Sequence, residues 1–376
     1  MTNTDLIHPF RIEIPQSDLD YLHHRLAEAR WPGELPGVGW TRGVPLGYLK
    51  ELAEYWGSRY DWRGEEAKLN RYPQFTTEID GQRIHFLHSR SDNSDARPLL
   101  ITHGFPSSVA EFLYLIEPLV NPADGPAFHV VAPSLPGYAF STPLNSTGWS
   151  MGRTARAWVE LMRRLGYERY GVHGGDVGAG VSGVVAGIDG AHVIGVHVVT
   201  DPLTAANVAT FMPGMADRLD EDDPVDKVIM DRMSNFKQEG SGYLAIQNSR
   251  PQTIGYGLVD SPLLQLAWIA EKFEEWTELP IDRDQLLTTV SLYWFTGSGV
   301  TAAHTLYEQA HSSDWGPPSA VPRGFAVFGA DETVRKLVPA SPDAHWTEFA
   351  RGRHFPAMEA PIQLAADLQA FFGPLQ

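Results

Sequence analysis

Residues 174–178, Gly-Gly-Asp-Val-Gly, have the residue types and the spacing of a turn that presents a nucleophile. They follow a short apolar run at 170–173 and open a segment of helical pattern. Such a strand-to-helix turn is sharp, so side chains two positions either side of its centre must be small. Asp176 stands at that centre, where many hydrolases have Ser, at the head of a helix whose dipole favours negative charge. The pattern predicts a carboxylate nucleophile; an ordinary helix N-cap is the alternative.

A nucleophile of this kind works with an acid and a histidine that follow it along the chain. Asp331 lies three residues after the end of the apolar run 324–328, and His354 follows the last predicted strand, 345–349. The chain has 46 acidic residues and 14 histidines, so neither residue is distinctive by itself. Their order and their placement after strands predict Asp331 as the acid that orients His354, and His354 as the general base.

Two other residues are open as alternatives for the acid. Glu332 is the next residue after Asp331. Asp201 follows the predicted strand 193–199, and some proteins of this architecture carry the acid at that position. Chain order favours Asp331, and these two residues stay open as alternatives.

Residues 148–152 match a serine-nucleophile pattern, G-x-S-x-G, letter for letter. A strand should precede that pattern, but a polar, proline-containing segment precedes this one. Ser150 is therefore interpreted as the N-cap of a helix and not as a nucleophile.

Two backbone N–H groups are predicted to form an oxyanion hole. One belongs to Val177, the residue after the nucleophile. The other belongs to Phe105, in the tetrapeptide 103–106 that ends an early strand. Gly104 beside it would keep the backbone accessible.

Composition excludes several classes of function. The net charge is −17, which argues against nucleic acids and anionic membrane surfaces as partners. The chain has no cysteine, which excludes disulfides, thiol catalysis and thiolate metal sites. No signal peptide is recognised at residues 1–10 and no apolar run reaches membrane-span length, which predicts a cytoplasmic protein.

The elements that must position these residues alternate between short apolar strands and helical patterns. Such alternation predicts an α/β fold with a mainly parallel sheet flanked by helices. A helical, aromatic-rich pattern interrupts the strands and is interpreted as an inserted cap. The predicted division has three parts: an N-terminal helical meander at 1–72, a core at 73–202 and 322–376, and a helical cap at 203–321.

At this point the chain resembles the microsomal-type epoxide hydrolases, a family with the α/β-hydrolase fold. The resemblance spans nearly the whole chain and is carried by three core motifs, at residues 103–106, 174–178 and 352–354. The N-terminal part, including residues 60–63, resembles the family's N-terminal meander. Val177 departs from the pattern, because the family often has Trp after the nucleophile.

The resemblance implies two tyrosines that donate hydrogen bonds to the epoxide oxygen. Tyr243 lies in the stretch 241–247, and Tyr307 lies in the stretch 304–307. Both stretches match family motifs of the cap. Without the resemblance, nothing singles out these two among the 13 tyrosines of the chain.

The implied activity is hydrolysis of an epoxide, an ether-bond hydrolysis, to a vicinal diol through an ester on Asp176, without a cofactor or a metal. Aromatic residues in the cap favour an aryl or large apolar epoxide, in detoxification or natural-product metabolism. Two alternatives are a haloalkane dehalogenase and a non-catalytic binding protein with a hydrolase fold. Against the first, Val177 lacks the side-chain N–H of a halide donor. The oligomeric state is open, a homodimer being one assembly.

Overall fold

The computed structural model describes residues 6–338 and 340–375. Residues 1–5 lie outside the described residues; they belong to the predicted meander and to the stretch 1–10 that shows no signal peptide. Gln376, the last residue of the predicted core, also lies outside them. None of the helices in the described part has the length and apolar character that a membrane span requires.

One sheet of nine strands, in the order β1-β2-β3-β5-β4-β6-β7-β8-β9, organises the molecule. The pairs from β1 through β3 to β5 are antiparallel, and the pairs from β5 to β9 are parallel. This confirms the predicted α/β fold with a mainly parallel sheet. The strands are β1 His8–Phe10, β2 Gln74–Ile79, β3 Gln82–Ser89, β4 Arg97–Thr102, β5 Phe128–Pro133, β6 Tyr170–Gly174, β7 Val193–Thr200, β8 Arg323–Phe328 and β9 His345–Phe349.

Helices lie between β1 and β2, cover both faces of the sheet and fill a long connection between β7 and β8. Three lie before β2: α1 Gln16–Ala27, α2 Leu46–Ser58 and α3 Trp62–Leu69. Five accompany the sheet: α4 Leu113–Val120, α5 Met151–Arg164, α6 Val177–Ile188, α15 Pro356–Glu359 and α16 Pro361–Phe372. The connection holds α7 Pro202–Thr210, α8 Pro224–Asn235, α9 Gly242–Gln247, α10 Pro251–Asp260, α11 Pro262–Trp276, α12 Arg283–Thr296 and α13 Ser298–Ala310, and α14 Glu332–Leu337 follows β8.

The central strand β4 shows how the sheet is held between two helical layers. Successive side chains of a strand point to opposite faces. Leu100 accordingly packs in the cluster that contains Trp158 of α5, whereas Leu99 packs in the cluster that contains Leu364 of α16. A strand that is buried on both faces carries apolar side chains on both, which explains the continuous apolar run of β4.

Most local expectations agree with these elements, and two differ in an instructive way. Ser150 is the N-cap of α5, as predicted, and its hydroxyl accepts from the Arg153 N–H. The helical pattern at about 108–117 predicts one helix, whereas the structure begins there as a 3₁₀ turn, Val109–Phe112, and continues as α4. The sequence at β1 has no alternation of apolar and polar residues, and the strand forms because it pairs with β2.

Candidate active site

The strand-to-helix turn at Asp176 joins β6 to α6 and has the strained backbone of a nucleophile turn. The φ angle of Asp176 is +51°, a conformation that L-residues rarely adopt. The turn also brings α6 against the end of β4, and a Cβ on Gly178 would lie 1.9 Å from the Thr102 carbonyl oxygen. Glycine at 178 is therefore required by space, as the sequence pattern predicted.

The Asp176 carboxylate is held against the loop that follows β4. Its Oδ1 accepts a hydrogen bond of 2.8 Å from the Phe105 N–H. Gly104 permits this approach, because a Cβ there would lie 2.4 Å from the Asp176 Cβ. The N–H predicted as an oxyanion donor thus already faces an oxygen of Asp176. Val177 begins α6 next to it, and its N–H as the second donor stays a prediction.

His354 lies on the other side of the same carboxylate. Its Nε2 is 3.7 Å from the Asp176 Oδ2, and its ring packs 4.8 Å from that of Trp276. Burial by itself would lower the pKa of the imidazole, but the carboxylates of Asp201 and Asp176 raise it above its ordinary value. The structure therefore brings together the predicted nucleophile and the predicted base.

The acid beside His354 is Asp201, which follows β7. Its Oδ2 is 3.8 Å from the His354 Nδ1, and the Thr204 hydroxyl bridges the two groups. That hydroxyl donates to the Asp201 Oδ2, so it accepts from the Nδ1–H of His354 at 2.8 Å. Although burial opposes ionisation of Asp201, His354 and Thr204 hold the pKa of its carboxyl below its usual value. Its other oxygen caps α7, accepting from the N–H groups of Leu203 and Thr204.

The placement of Asp331 beside His354 is therefore corrected. Asp331 caps α14, and its Oδ2 forms an ion pair of 2.7 Å with Arg232 of α8. That guanidinium and the Thr333 hydroxyl lower the pKa of the Asp331 carboxyl, against the opposing effect of burial. Glu332, the neighbouring alternative, is exposed in the first turn of α14. The physical reason is the cation on α8, which holds Asp331 away from the histidine.

Tyr243, on α9, lies where a donor to a bound substrate would be needed. Its ring is stacked on that of Phe105, with centroids 5.6 Å apart and planes 9° apart, and meets the Trp276 ring edge-on. Burial, followed by the charges of Asp176 and Glu275, raises the pKa of its phenol well above the usual value. The hydroxyl is therefore protonated and can donate a hydrogen bond.

Tyr307 is not brought to the cavity in the same way. Its ring stacks on that of His311 on the half-exposed side of α13, with centroids 4.0 Å apart. Leu306, its neighbour in sequence, lines the cavity instead. Successive residues of a helix point about 100° apart, so the two side chains face different directions. Tyr307 is not among the residues that line this cavity, and its role beside Tyr243 over Asp176 stays a prediction.

A cavity of about 160 Å³ opens above Asp176 and His354. Its wall is mainly apolar, and one side is formed by the exposed side chains of Val208, on α7, and Phe211, which directly follows that helix. A dry apolar cavity of this volume accommodates a single benzene-sized ring. The other apolar residues of the wall are Phe105, Val177, Leu203, Phe236, Leu244, Trp276 and Leu306.

Comparison with known proteins now places the chain. A model described as epoxide hydrolase N terminus matches residues 7–112, and one for the alpha/beta hydrolase fold matches residues 97–280. The "Putative epoxide hydrolase" of Stigmatella aurantiaca is 41% identical over 98% of this chain and 86% of its own length. The chain belongs to the epoxide hydrolase family. Epoxide hydrolase 1 of Sus scrofa is 32% identical over 98% of the chain and 89% of its own length.

Two solved epoxide hydrolase structures have the same fold. That of Aspergillus niger superposes with a TM-score of 0.82 at 31% identity, covering 99% of this chain and 97% of its own. The juvenile hormone epoxide hydrolase of Bombyx mori gives a TM-score of 0.84 at 31% identity, covering 98% and 94%. The resemblance to the microsomal type and the predicted α/β-hydrolase fold are both confirmed.

Sequence reasoning overlooked a buried carboxyl beside the nucleophile of this epoxide hydrolase family member. Glu111 lies in the 3₁₀ turn after the 103–106 loop, and burial raises its pKa to about 7. The Ser107 hydroxyl and the charge of His354 lower the pKa of this carboxyl, and the charge of Asp176 raises it, but burial has the largest effect. Thr204 was overlooked as well, although Asp201 followed by Pro202 is a signal for a capped helix start, and Thr204 is the third residue of that helix.

His103 fixes the loop that carries Phe105. Its Nε2 accepts from the Leu135 N–H at 3.1 Å, so its Nδ1 bears the proton and donates to the Gly104 carbonyl at 3.1 Å. Protonating Nε2 would set two N–H groups against each other. Burial lowers the pKa of this imidazole to about 4.

The stability of the protein should therefore decrease in acid. Below the unfolded pKa of about 6.5 the unfolded chain binds a proton at His103 that the folded protein excludes until about pH 4. We expect His103→Gln to make the free energy of unfolding less dependent on pH in this window, by up to about 1.4 kcal/mol per pH unit. Denaturant unfolding between pH 7 and 5 measures both slopes, and parallel slopes would contradict the assignment.

Proposed function

We propose that the protein hydrolyses an epoxide to a vicinal diol through a covalent ester on Asp176. The observation that carries the proposal is the position of the Asp176 carboxylate, between the Phe105 N–H at 2.8 Å and the His354 Nε2 at 3.7 Å. One side of the carboxylate thus has a donor for an oxyanion, and the other has a base. Membership of the epoxide hydrolase family supports the same reaction.

In the first half of the reaction, Asp176 attacks a ring carbon and the carbon–oxygen bond of the epoxide breaks. The electron pair stays on the ring oxygen, which needs a hydrogen-bond donor in the transition state. Tyr243 supplies it, because this residue lines the cavity and its hydroxyl is protonated. With Leu306 lining the cavity in place of Tyr307, we propose Tyr243 as the principal donor.

In the second half, His354 removes a proton from water, which attacks the ester carbonyl of Asp176. The oxyanion that forms is stabilised by the N–H of Phe105 and, as predicted, that of Val177. The imidazolium is stabilised by Asp201, directly and through Thr204, so Asp201 takes the role first predicted for Asp331. Asp201 also fixes the tautomer of His354, because the Nδ1–H is engaged by Thr204.

The substrate we propose is an apolar epoxide with an aryl or similarly sized substituent. An opening of about 160 Å³ with phenyl and indole groups in its mainly apolar wall suits one aromatic ring. Ring stacking on Phe105 and Trp276 would contribute to binding.

Labelled water tests the mechanism. We expect one turnover of styrene oxide in heavy-oxygen water, with enzyme in excess, to give diol without the label, because the new oxygen comes from Asp176. The label should appear in the Asp176 peptide after further turnover. Heavy oxygen in the first-turnover diol would rule out the ester. A parallel incubation with a bromoalkane tests the dehalogenase alternative, which would release bromide. If neither diol nor bromide forms, the non-catalytic binding protein is favoured.

A further inference from the structure

A buried lysine lies against the ring of Tyr243. The Nζ of Lys272, on α11, is 4.7 Å from the centroid of the Tyr243 ring and 5.5 Å from that of Trp276. Only 4% of Lys272 is exposed to solvent. Its ammonium is paired with the carboxylates of Glu271 and Glu275, each at 2.8 Å.

This placement calls for an explanation beyond packing. Taking an ammonium group out of water is costly, and an apolar side chain of the same length would fill the space without that cost. The two glutamates reduce the cost and hold the ammonium in position. They leave it over the aromatic face, where a cation is attracted by the ring.

The proposed reaction moves negative charge toward this cation. As the Asp176–carbon bond forms and the ring carbon–oxygen bond breaks, the Asp176 carboxylate becomes a neutral ester. The ring oxygen receives the electron pair and takes the proton of the Tyr243 hydroxyl, so the charge passes to the phenol. During ester hydrolysis His354 gains a proton from water, and its transfer to the phenolate restores both groups.

The environment of Tyr243 otherwise opposes that transfer. Burial and the charges of Asp176 and Glu275 keep its phenol protonated. Among the residues that the structure describes, Lys272 is the cation recorded over this ring. An ammonium at that distance stabilises the phenolate more than the phenol and polarises the hydroxyl as a donor.

We propose that Lys272 is a positioning residue for epoxide opening, which acts through Tyr243 by strengthening its hydroxyl as the donor to the ring oxygen. The inference rests on the proposed function. It assigns Lys272 to the first half of the reaction and gives it no part in ester hydrolysis.

A double-mutant cycle tests the inference. Single-turnover alkylation is measured in the wild type, Lys272→Met, Tyr243→Phe and the double variant. We expect Lys272→Met to slow alkylation about threefold to thirtyfold, the range of a cation–π interaction. In the Tyr243→Phe background the same change should have less than about a twofold effect, because the hydroxyl through which it acts is absent. Equal effects in both backgrounds would overturn the proposal.

Three further variants make the result specific. Lys272→Arg keeps a cation and should restore most of the alkylation rate, whereas ester hydrolysis should be unchanged in all Lys272 variants. Lys50→Met is the matched control, because Lys50 lies 5.4 Å from the Trp31 ring at an exposed position and should not affect either step. If Lys272→Met does not fold, Glu275→Gln carries the test: removal of this carboxylate should speed alkylation at least about twofold. An unchanged or slower rate in Glu275→Gln would overturn the proposal.

The outcomes distinguish this inference from the proposed function. Absence of any alkylated enzyme in the wild type would reject the ester mechanism itself. Normal alkylation in the wild type, together with equal Lys272→Met effects in both backgrounds, would reject the role of Lys272 alone.

Discussion

The His354→Gln variant is expected to stop at the ester and accumulate as alkylated protein. His354 has no role in the attack of Asp176, whereas hydrolysis of the ester needs a base on the water. A general base contributes about 10²–10⁴-fold, so ester hydrolysis should slow by that factor while alkylation changes far less. Intact-protein mass spectrometry after incubation with styrene oxide should show a mass increase equal to the substrate.

Matched variants control this experiment. His311→Gln makes the same change at an exposed histidine that stacks on Tyr307, and it should turn over normally. Asp176→Ala combined with His354→Gln should carry no adduct, which would place the ester on Asp176. Loss of turnover without an adduct would mean that His354 is needed for alkylation, and the assignment of the base to the second half would be wrong.

Asp201→Asn is the second change with a large expected effect. Asparagine at 201 removes the charge that stabilises the imidazolium, and its amide can disturb the tautomer that Thr204 and Asp201 impose. We expect ester hydrolysis to slow by about 10²–10⁴-fold, with the alkyl-enzyme accumulating as in His354→Gln. Pre-steady-state kinetics of the two steps would measure this directly.

The chain offers two matched controls for Asp201, since other helices of the described structure also begin with an aspartate cap. Asp223 caps α8 and Asp331 caps α14, each by accepting from backbone N–H groups, as Asp201 does for α7. Asparagine is about as good an N-cap as aspartate, so each variant keeps a cap and the three are expected to differ mainly in their catalytic effect. Asp223→Asn and Asp331→Asn should retain turnover within a few-fold. An inactive Asp331→Asn beside an active Asp201→Asn would restore the assignment made from chain order.

These two acids show where sequence reasoning reaches its limit. Strands β7 and β8 are parallel neighbours, so Asp201 and Asp331 emerge at the same edge of the sheet, each at the start of a helix. Their local sequence patterns are equivalent. The choice is made by Arg232, 99 residues before Asp331 in the chain, which pairs with one carboxylate and leaves the other to the histidine. A contact at that separation leaves no local trace in the sequence.

The strands and the turn at Asp176 could be predicted because short-range rules determine them. Apolar runs of strand length, and glycines where a Cβ would collide, are properties of a few consecutive residues. The orientation of Leu306 and Tyr307 depends instead on contacts between residues far apart in the sequence. Both belong to one matched stretch of α13, and the packing of that helix against α10 and α12 decides which of them faces the cavity.

The two ends of helix α7 lie beside different parts of the site. Asp201, at its start, contacts His354 through Thr204, whereas Val208 and Phe211, near its end, border the mouth of the cavity. A single helix of nine residues connects these two ends. Changes to the mouth that admit a new epoxide would therefore also affect Asp201 and Thr204, which support His354 in ester hydrolysis. An engineer who selects for enantiomer preference at this helix should expect slower release of product, and should screen both properties together.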